Sequence, residues 1–417
     1  MITQPHPHRF RAGRLLTAGA ATALLLAGCG TATAPTTTPP TTPPPTTASA
    51  TALTGADGCI TAFDPNTDYF ADKQTLSHAR NFRLTYHRFY QVLTVKEPVV
   101  GGKPESYVLV KCGATAPELT GDLARAPVVT TPVKSLFSAS TTHLPSLEAL
   151  NKLDLVTGVG SKAYISSKAA QTRASEAAVV EFAAAGTADA EKVITAKPDV
   201  VITAGYDDPA YATLRDAEIP VLADAEFLEA DPLGRAEWIK YFAALTGTEK
   251  LAQQTFRSIQ TDYQKAVQLA QNAKPTSVVL SQPYQGAWAM PAGGSYAGQL
   301  VSDAKGTWPW QSTASSGSVN TDLETVFARA GKAPIWLTSS NWKTKKEALA
   351  DEPRAAEFTA YKKSQVWAPS LQVTAGGGNN YFELGVLRPD LILEDLTAIL
   401  HPELKPDHQF TFFRQLT

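Results

Sequence analysis

Apolar residues recur at helical spacing through positions 231–274, DPLGRAEWIKYFAALTGTEKLAQQTFRSIQTDYQKAVQLAQNAK. Asp231 suits a helix N-cap and Pro232 the first helical position. Trp238, Phe242 and Leu245 then share a face, and Gly247 supplies a left-handed stop. A second helix is expected from about position 248, with Leu251, Phe256, Ile259, Tyr263 and Val267 on one face and no Pro or Gly before Pro275. At ~1.5 Å per residue, about 25 residues make a rod of roughly 37 Å. One small α/β layer does not need such length, so the stretch is expected to be a strut between two lobes.

On either side of it the pattern alternates between strands and helices. Before it, strands are expected at 133–137, 155–159, 199–203 and 219–222, and helices at 145–150, 191–196 and 211–217. After it, strands are expected at 277–280, 334–337 and 366–368, helices at 323–330 and 389–400, and a long Gly- and Trp-rich loop up to about 318. This alternation predicts mainly parallel sheets covered by helices, hence two Rossmann-like α/β lobes joined by a long helix. Residues 80–111 differ: Phe82, Leu84, Tyr86, then Tyr90, Val92, Leu93 and Val95, read as strands of an N-terminal β-rich appendage. An internal echo links the lobes. DAEKVITAKPDVVITAG and DLETVFARAGKAPIWLTSS each place acidic residues at a helix start before a strand ending in threonine. Glu191 and Glu324 there can complement helix dipoles, or form a symmetric pair of docking carboxylates, one per lobe.

The chain begins differently again. His8, Arg9, Arg11 and Arg14 precede an apolar run over 15–26, too short to span a bilayer comfortably, and LAGC ends at Cys29. That predicts a secretory signal over 1–29 with Cys29 as lipidation site. The Thr/Pro-rich stretch over 30–56 cannot bury a core and reads as an extended tether. The remaining division is 57–124 for the appendage, 125–230 for the first lobe, 231–274 for the connecting helices and 275–417 for the second lobe. Of three cysteines, Cys59 and Cys112 then remain for a disulfide, with two buried free thiols as the alternative.

With 417 residues, 43% hydrophobic, and a formal charge of −2, the chain has ample core and no basic footprint for nucleic acid. Nucleophile-elbow, phosphate-loop, dinucleotide and zinc-protease motifs are absent. No catalytic residue, metal ligand or cofactor is therefore assigned. His143 follows a strand, where a metal receptor would place a ligand, but a lone histidine there reads first as a hydrogen-bonded loop residue. Aromatics near strand ends are the stronger signal, since open α/β sheets bind ligands beyond their strands' carboxyl ends. Tyr164, Tyr206, Tyr284, Trp288, Trp308, Trp310, Trp342 and Tyr381 are the cleft candidates, with Arg235 and the loop 376–383 added by placement.

Lipobox, tether, two α/β lobes and one helical connector resemble the substrate-binding lipoproteins of ABC importers, particularly the group serving iron–siderophores, haem and cobalamin. AKPDVVIT, DPLGRAEWIKYFAALTGTEKLAQQTF and PDLILEDLTAILHPEL carry the resemblance, which spans roughly 125–400. It implies a monomeric receptor on the outer face of the cytoplasmic membrane or in the periplasm, lipid-anchored. It further implies a small-molecule ligand, first an iron complex, and delivery to an ABC permease dimer whose arginines meet Glu191 and Glu324. Glu148 rivals Glu191 for the first position. Cobalamin, haem and a divalent metal are the alternative ligands, and a secreted enzyme the remaining alternative. The appendage departs from the minimal two-lobe pattern, and no ligand-specific signature is present.

Overall fold

The computed structural model describes residues 53–417; the expected signal, Cys29 and nearly all of the expected tether lie outside the described residues. The first sheet contains β1 (Phe82–Tyr86), β2 (Tyr90–Val95), β3 (Glu105–Lys111) and β4 (Val128–Thr131) in that spatial order. Its first three strands are antiparallel and β4 joins β3 in parallel. Cys59 and Cys112 are joined by a disulfide across the base of this sheet.

The second sheet runs β7–β6–β5–β8–β9, all parallel. Its strands are β5 (Leu136–Ser138), β6 (Val156–Val159), β7 (Val180–Glu181), β8 (Val200–Ile202) and β9 (Val221–Leu222). Between them lie α1 (Leu144–Ala149), α2 (Lys168–Ser175), α3 (Ala190–Ala196) and α4 (Pro209–Asp216). The chain starts in the middle at β5, winds outward to β7, then returns beside β5 with β8. Adjacent crossovers leave from opposite sides there, which opens a crevice at the strands' carboxyl ends.

The connector is α5 (Pro232–Ala236), α6 (Ile239–Thr246) and α7 (Glu249–Ala270). Asp231 caps α5 through the Leu233 amide, and Gly247 ends α6 at φ 68°, as its lack of Cβ allows. The expected single helix from 232 to 246 is interrupted: Trp238 N–H donates to the Arg235 carbonyl and Lys240 N–H to the Glu237 carbonyl, three-residue steps that tighten the turn. At 22 residues, α7 is ~33 Å long.

The second lobe repeats the winding. It contains β10 (Thr276–Leu280), β11 (Pro283–Tyr284), β12 (Ala287–Pro291), α8 (Tyr296–Asp303), β13 (Gly306–Thr307), β14 (Ser318–Thr321), α9 (Leu323–Ala330) and β15 (Ile335–Leu337). Then follow α10 (Lys345–Asp351), α11 (Thr359–Lys362), β16 (Val366–Ala368), α12 (Asn380–Leu387), α13 (Pro389–Leu400) and β17 (Arg414–Gln415). The main sheet, β13–β10–β15–β16–β17, is parallel except for β17. The supposed loop up to 318 is instead structured: β11 and β12 form a hairpin joined by β14, and α8 and β13 follow.

One continuous apolar core threads the appendage, connector and both lobes, with Phe82 of β1 packed 4.8 Å from Trp238. The segment 74–81 explains that fusion. Glu237, fully buried, accepts from the amides of Ser77, His78 and Ala79 and from Lys240 Nζ at 2.5 Å. Glu229 accepts the amides of Arg80 and Asn81 and the Trp238 indole N–H. Two carboxylates, Glu229 just before the connector and Glu237 within it, thus satisfy backbone donors that no sheet pairs.

Candidate functional site

At the carboxyl ends of β5, β6, β7 and β8 lies a depression of about 350 Å³. The β5 end supplies Ser138, Ser140 and Thr141, the β6 end Ser161 and Tyr164, and the β8 end Tyr206. Tyr164 is 56% exposed and Tyr206 49%, so two aromatic faces stand ready beside hydroxyl groups. Burial of a tyrosine ring to this small extent is unusual for core packing and suits ligand contact.

The floor is polar but nearly uncharged. Burial pushes the His143 imidazole down to about 3, so the ring is neutral. Its Nδ1 lies 2.9 Å from Ser138 Oγ, whose own proton goes to the Ser140 carbonyl. Its Nε2 lies 3.7 Å from Asp224 Oδ2, an oxygen with no hydrogen-bond partner among the described residues. Burial, then the neighbouring Glu226 carboxylate, drive Asp224 well above the usual carboxylate range, towards its protonated form. His143 therefore anchors the β5 loop from below and does not reach the surface.

The second lobe closes against this wall through 374–378. A Cβ on Gly376 would lie 2.4 Å from the Ala163 carbonyl oxygen, and one on Gly378 2.2 Å from that of Tyr164. Only glycine permits such backbone approach. Nearby, Glu383 of α12 accepts the amides of Ser166 and Ser167, just before α2, at 2.7 and 2.8 Å. The loop named from sequence, 376–383, thus meets the first lobe directly.

The other named aromatics lie elsewhere. Tyr284 is 73% exposed at the tip of the β11–β12 hairpin. Trp288, Trp308, Trp310 and Trp342 are buried, contrary to the expectation of cleft-lining rings. Alternation on β12 turns Trp288 and Met290 inward, and the Trp288 indole donates to the Leu280 carbonyl. The Trp308 indole donates to the Pro291 carbonyl and the Trp342 indole to Asp351, while Arg329 covers the Trp310 ring at 4.5 Å. The indole N–H groups of Trp288, Trp308 and Trp342 are thereby satisfied inside the fold. Tyr381 is half-buried against Phe412 and Phe413, and burial pushes its phenol up.

Arg235 is likewise committed. Its Nε sits 2.7 Å from Glu226 and its guanidinium 4.0 Å over the Tyr296 ring. Burial opposes its charge, and Glu226 more than compensates, holding it above the usual range. Sequence reading missed Ser138, Ser140, Thr141 and Ser161; their place after parallel strands was the available signal. A larger groove of about 630 Å³ runs between α1, α7 and α12, with Glu148, Asp262 and Glu383 on its walls. It lies off the strand ends and shows no exposed aromatic ring, so the smaller depression is the better ligand site.

The carboxylates named for docking are exposed. Glu191 makes no ion pair among the described residues, whereas Glu324 pairs with Arg354, which also holds Glu357. Glu148 accepts from Ser167 Oγ at 2.5 Å. Among the described residues no group of three or more His, Cys, Asp or Glu side chains is arranged to hold a metal ion.

Residues 138–368, more than half the chain, match the sequence profile of the family described as periplasmic binding protein. The chain belongs to that family. An uncharacterised lipoprotein of Methanocaldococcus jannaschii is 30% identical over 207 residues, 49% of this chain and 48% of the relative. A second lipoprotein of that organism is 26% identical over 206 residues, so the chain spans about half the length of the curated relatives it matches. A periplasmic haem-binding protein of Pseudomonas aeruginosa has a TM-score of 0.52 at 17% identity, covering 68% of this chain and 98% of its own. A possible iron-binding, periplasmic solute-binding protein of Staphylococcus epidermidis has a TM-score of 0.51 at 16% identity, covering 65% of this chain and 100% of its own. At such identities the structures speak for the fold. Membership places residues 138–368 among periplasmic binding proteins.

Proposed function

We propose that the protein captures an iron complex of siderophore type between its lobes and delivers it to an ABC permease dimer. The observation that carries this reading is the crevice beyond β5, β6 and β8, where Tyr164 and Tyr206 stand exposed beside the second-lobe loop 374–378. Exposed aromatic faces with a few hydroxyls suit an organic chelate better than a bare cation, which would need converging carboxylates or imidazoles. Haem and cobalamin are the neighbouring choices; a haem-binding protein shares this fold. In this reading Cys29 carries lipid, 30–56 tethers a monomer at the outer face of the cytoplasmic membrane or in the periplasm, and the lobes 125–230 and 275–417 rock about 231–274.

Intrinsic tryptophan fluorescence, titrated with ferric chelates, haem, cobalamin and divalent cations, tests the reading. Tight binding of a bare divalent cation with no response to any organic ligand would overturn it. Replacing Tyr164 and Tyr206 together by alanine should weaken chelate binding by about 10- to 100-fold and move Tm by only about 2 °C or less, because both rings already face solvent. An unchanged affinity would remove both from the site.

Glu191 and Glu324 are the proposed docking carboxylates. The double alanine variant should lose uptake in a reconstituted transporter while the chelate affinity of the isolated receptor stays the same. Because Arg354 already holds Glu324, docking there requires exchange of one arginine for another, and Arg354→Ala should leave uptake intact. Loss of chelate affinity in the double variant would refute a docking role, and loss of uptake with Glu148→Ala alone would transfer the first position to Glu148.

A further inference from the structure

Charged side chains are nearly missing from the segments that follow the lobes' strands. In the second lobe, 281–295, 338–342 and 369–381 contain no Asp, Glu, Lys, Arg or His. In the first lobe, the lining of the depression consists of hydroxyls, alkyl groups, backbone and the two tyrosines. His143, beneath it, is neutral.

Two of the neighbouring cations are already paired. Arg235 is paired with Glu226 and stacked on Tyr296. Lys192 Nζ lies 3.2 Å from the Glu181 carbonyl and 3.7 Å from Asp189. Lys162 follows Ser161 in a turn whose amide is held by the Glu181 carboxylate, so that corner carries one charge of each sign. Lys343 lies at the far end of the β15 loop, its amide held by Glu347. On the other side of the balance, Asp207 stands exposed next to Tyr206. Among the described residues, those that line the depression include no Lys, Arg or His.

Removing an anion from water costs several kcal/mol per charge unless a cation or a set of donors replaces the water. A multiply anionic ligand closing between these walls would lose its hydration and gain no counter-charge, and Asp207 would repel it. We propose that the ligand this cleft takes bears no net negative charge: a neutral or singly cationic chelate whose surface is carbonyl, hydroxyl and hydrocarbon. The inference rests on the receptor reading above and narrows it.

Four probes separate the two claims. Two are neutral, an iron(III) trihydroxamate and cyanocobalamin; two are anionic, an iron(III) tris-catecholate and haem with its propionates. Each is titrated against the full body of the receptor at ~0.15 M salt. The neutral trihydroxamate should bind at least about 100-fold more tightly than the tris-catecholate, in line with the charge complementarity expected of binding sites. Binding of cyanocobalamin without either iron chelate would support the charge inference and overturn the iron reading. Binding of the tris-catecholate as tightly as the trihydroxamate, or more tightly, would support the iron reading and overturn the charge inference. Tightest binding of haem would overturn both, as would no binding of any probe.

Discussion

Replacing Glu237 by alanine should destabilise the protein by about 3–5 kcal/mol, the range for breaking a buried, hydrogen-bonded ion pair from one side. Glu237 is fully buried. Its loss strands the amides of Ser77, His78 and Ala79 and leaves Lys240 charged, with only the Thr75 carbonyl and the Phe256 ring for company. Urea denaturation measures the cost, and hydrogen exchange over 74–81 should rise before the lobes open. A loss below about 1 kcal/mol would show that the carboxylate is not what fastens the appendage to the connector.

The same group fixes a pH window. Burial alone would raise the Glu237 carboxyl; the Lys240 ammonium and the amides of Ala79 and His78 outweigh it and hold the group below its ordinary value of 4.5. A depressed carboxylate contributes stability above its unfolded value and loses it as pH falls through its folded one. The stability gap between wild type and Glu237→Ala should therefore be full at neutral pH and shrink only in acid below about 4.5.

The sequence made the lobes readable because their signals are local. The helices Leu323–Ala330 and Pro389–Leu400 and the strand Val366–Ala368 occur with the bounds expected from apolar spacing and from the Pro at position 389. The region after β10 was misread for a physical reason. Trp288 and Met290 alternate over one short strand, and glycines before Tyr296 hide the start of α8. A tryptophan among glycines looks like a loop residue, yet its indole N–H can be satisfied by a buried carbonyl, as Leu280 and Pro291 do here. The clamps of Glu229 and Glu237 had no signature at all, because their partners are about 150 residues away in sequence. For the candidate site, strand-end placement pointed to segments that line the depression, including those of Tyr164 and Tyr206. It could not identify the serines and threonine that line them, since such residues fill every loop of this chain.

Lobe apposition is the most fragile part of the site, and Gly378→Val tests it. A Cβ at this position would meet the Tyr164 carbonyl oxygen at 2.2 Å and its carbon at 2.6 Å. Both are backbone atoms, so no rotamer change can relieve the clash, and overpacking of this kind costs about 1–3 kcal/mol. The turn cannot shift freely either, since Thr374 N–H donates to the Gly378 carbonyl and Gly378 N–H to Thr374 Oγ1. The strain should therefore be released by moving 374–378 off the first lobe, which also displaces Tyr164 and lengthens the amide contacts of Glu383 with Ser166 and Ser167. Small-angle scattering should report a wider separation of the lobes, and trihydroxamate affinity should fall at least about tenfold, equivalent to ~1.4 kcal/mol. Gly377→Ala is the control: its Cβ would have room, 3.7 Å from the Tyr164 ring, and only its φ of 91° opposes the change. That variant should lose about 1 kcal/mol of stability while the lobes stay together. If Gly378→Val keeps both lobe separation and affinity, the contact of 374–378 with 163–164 does not set the shape of the cleft.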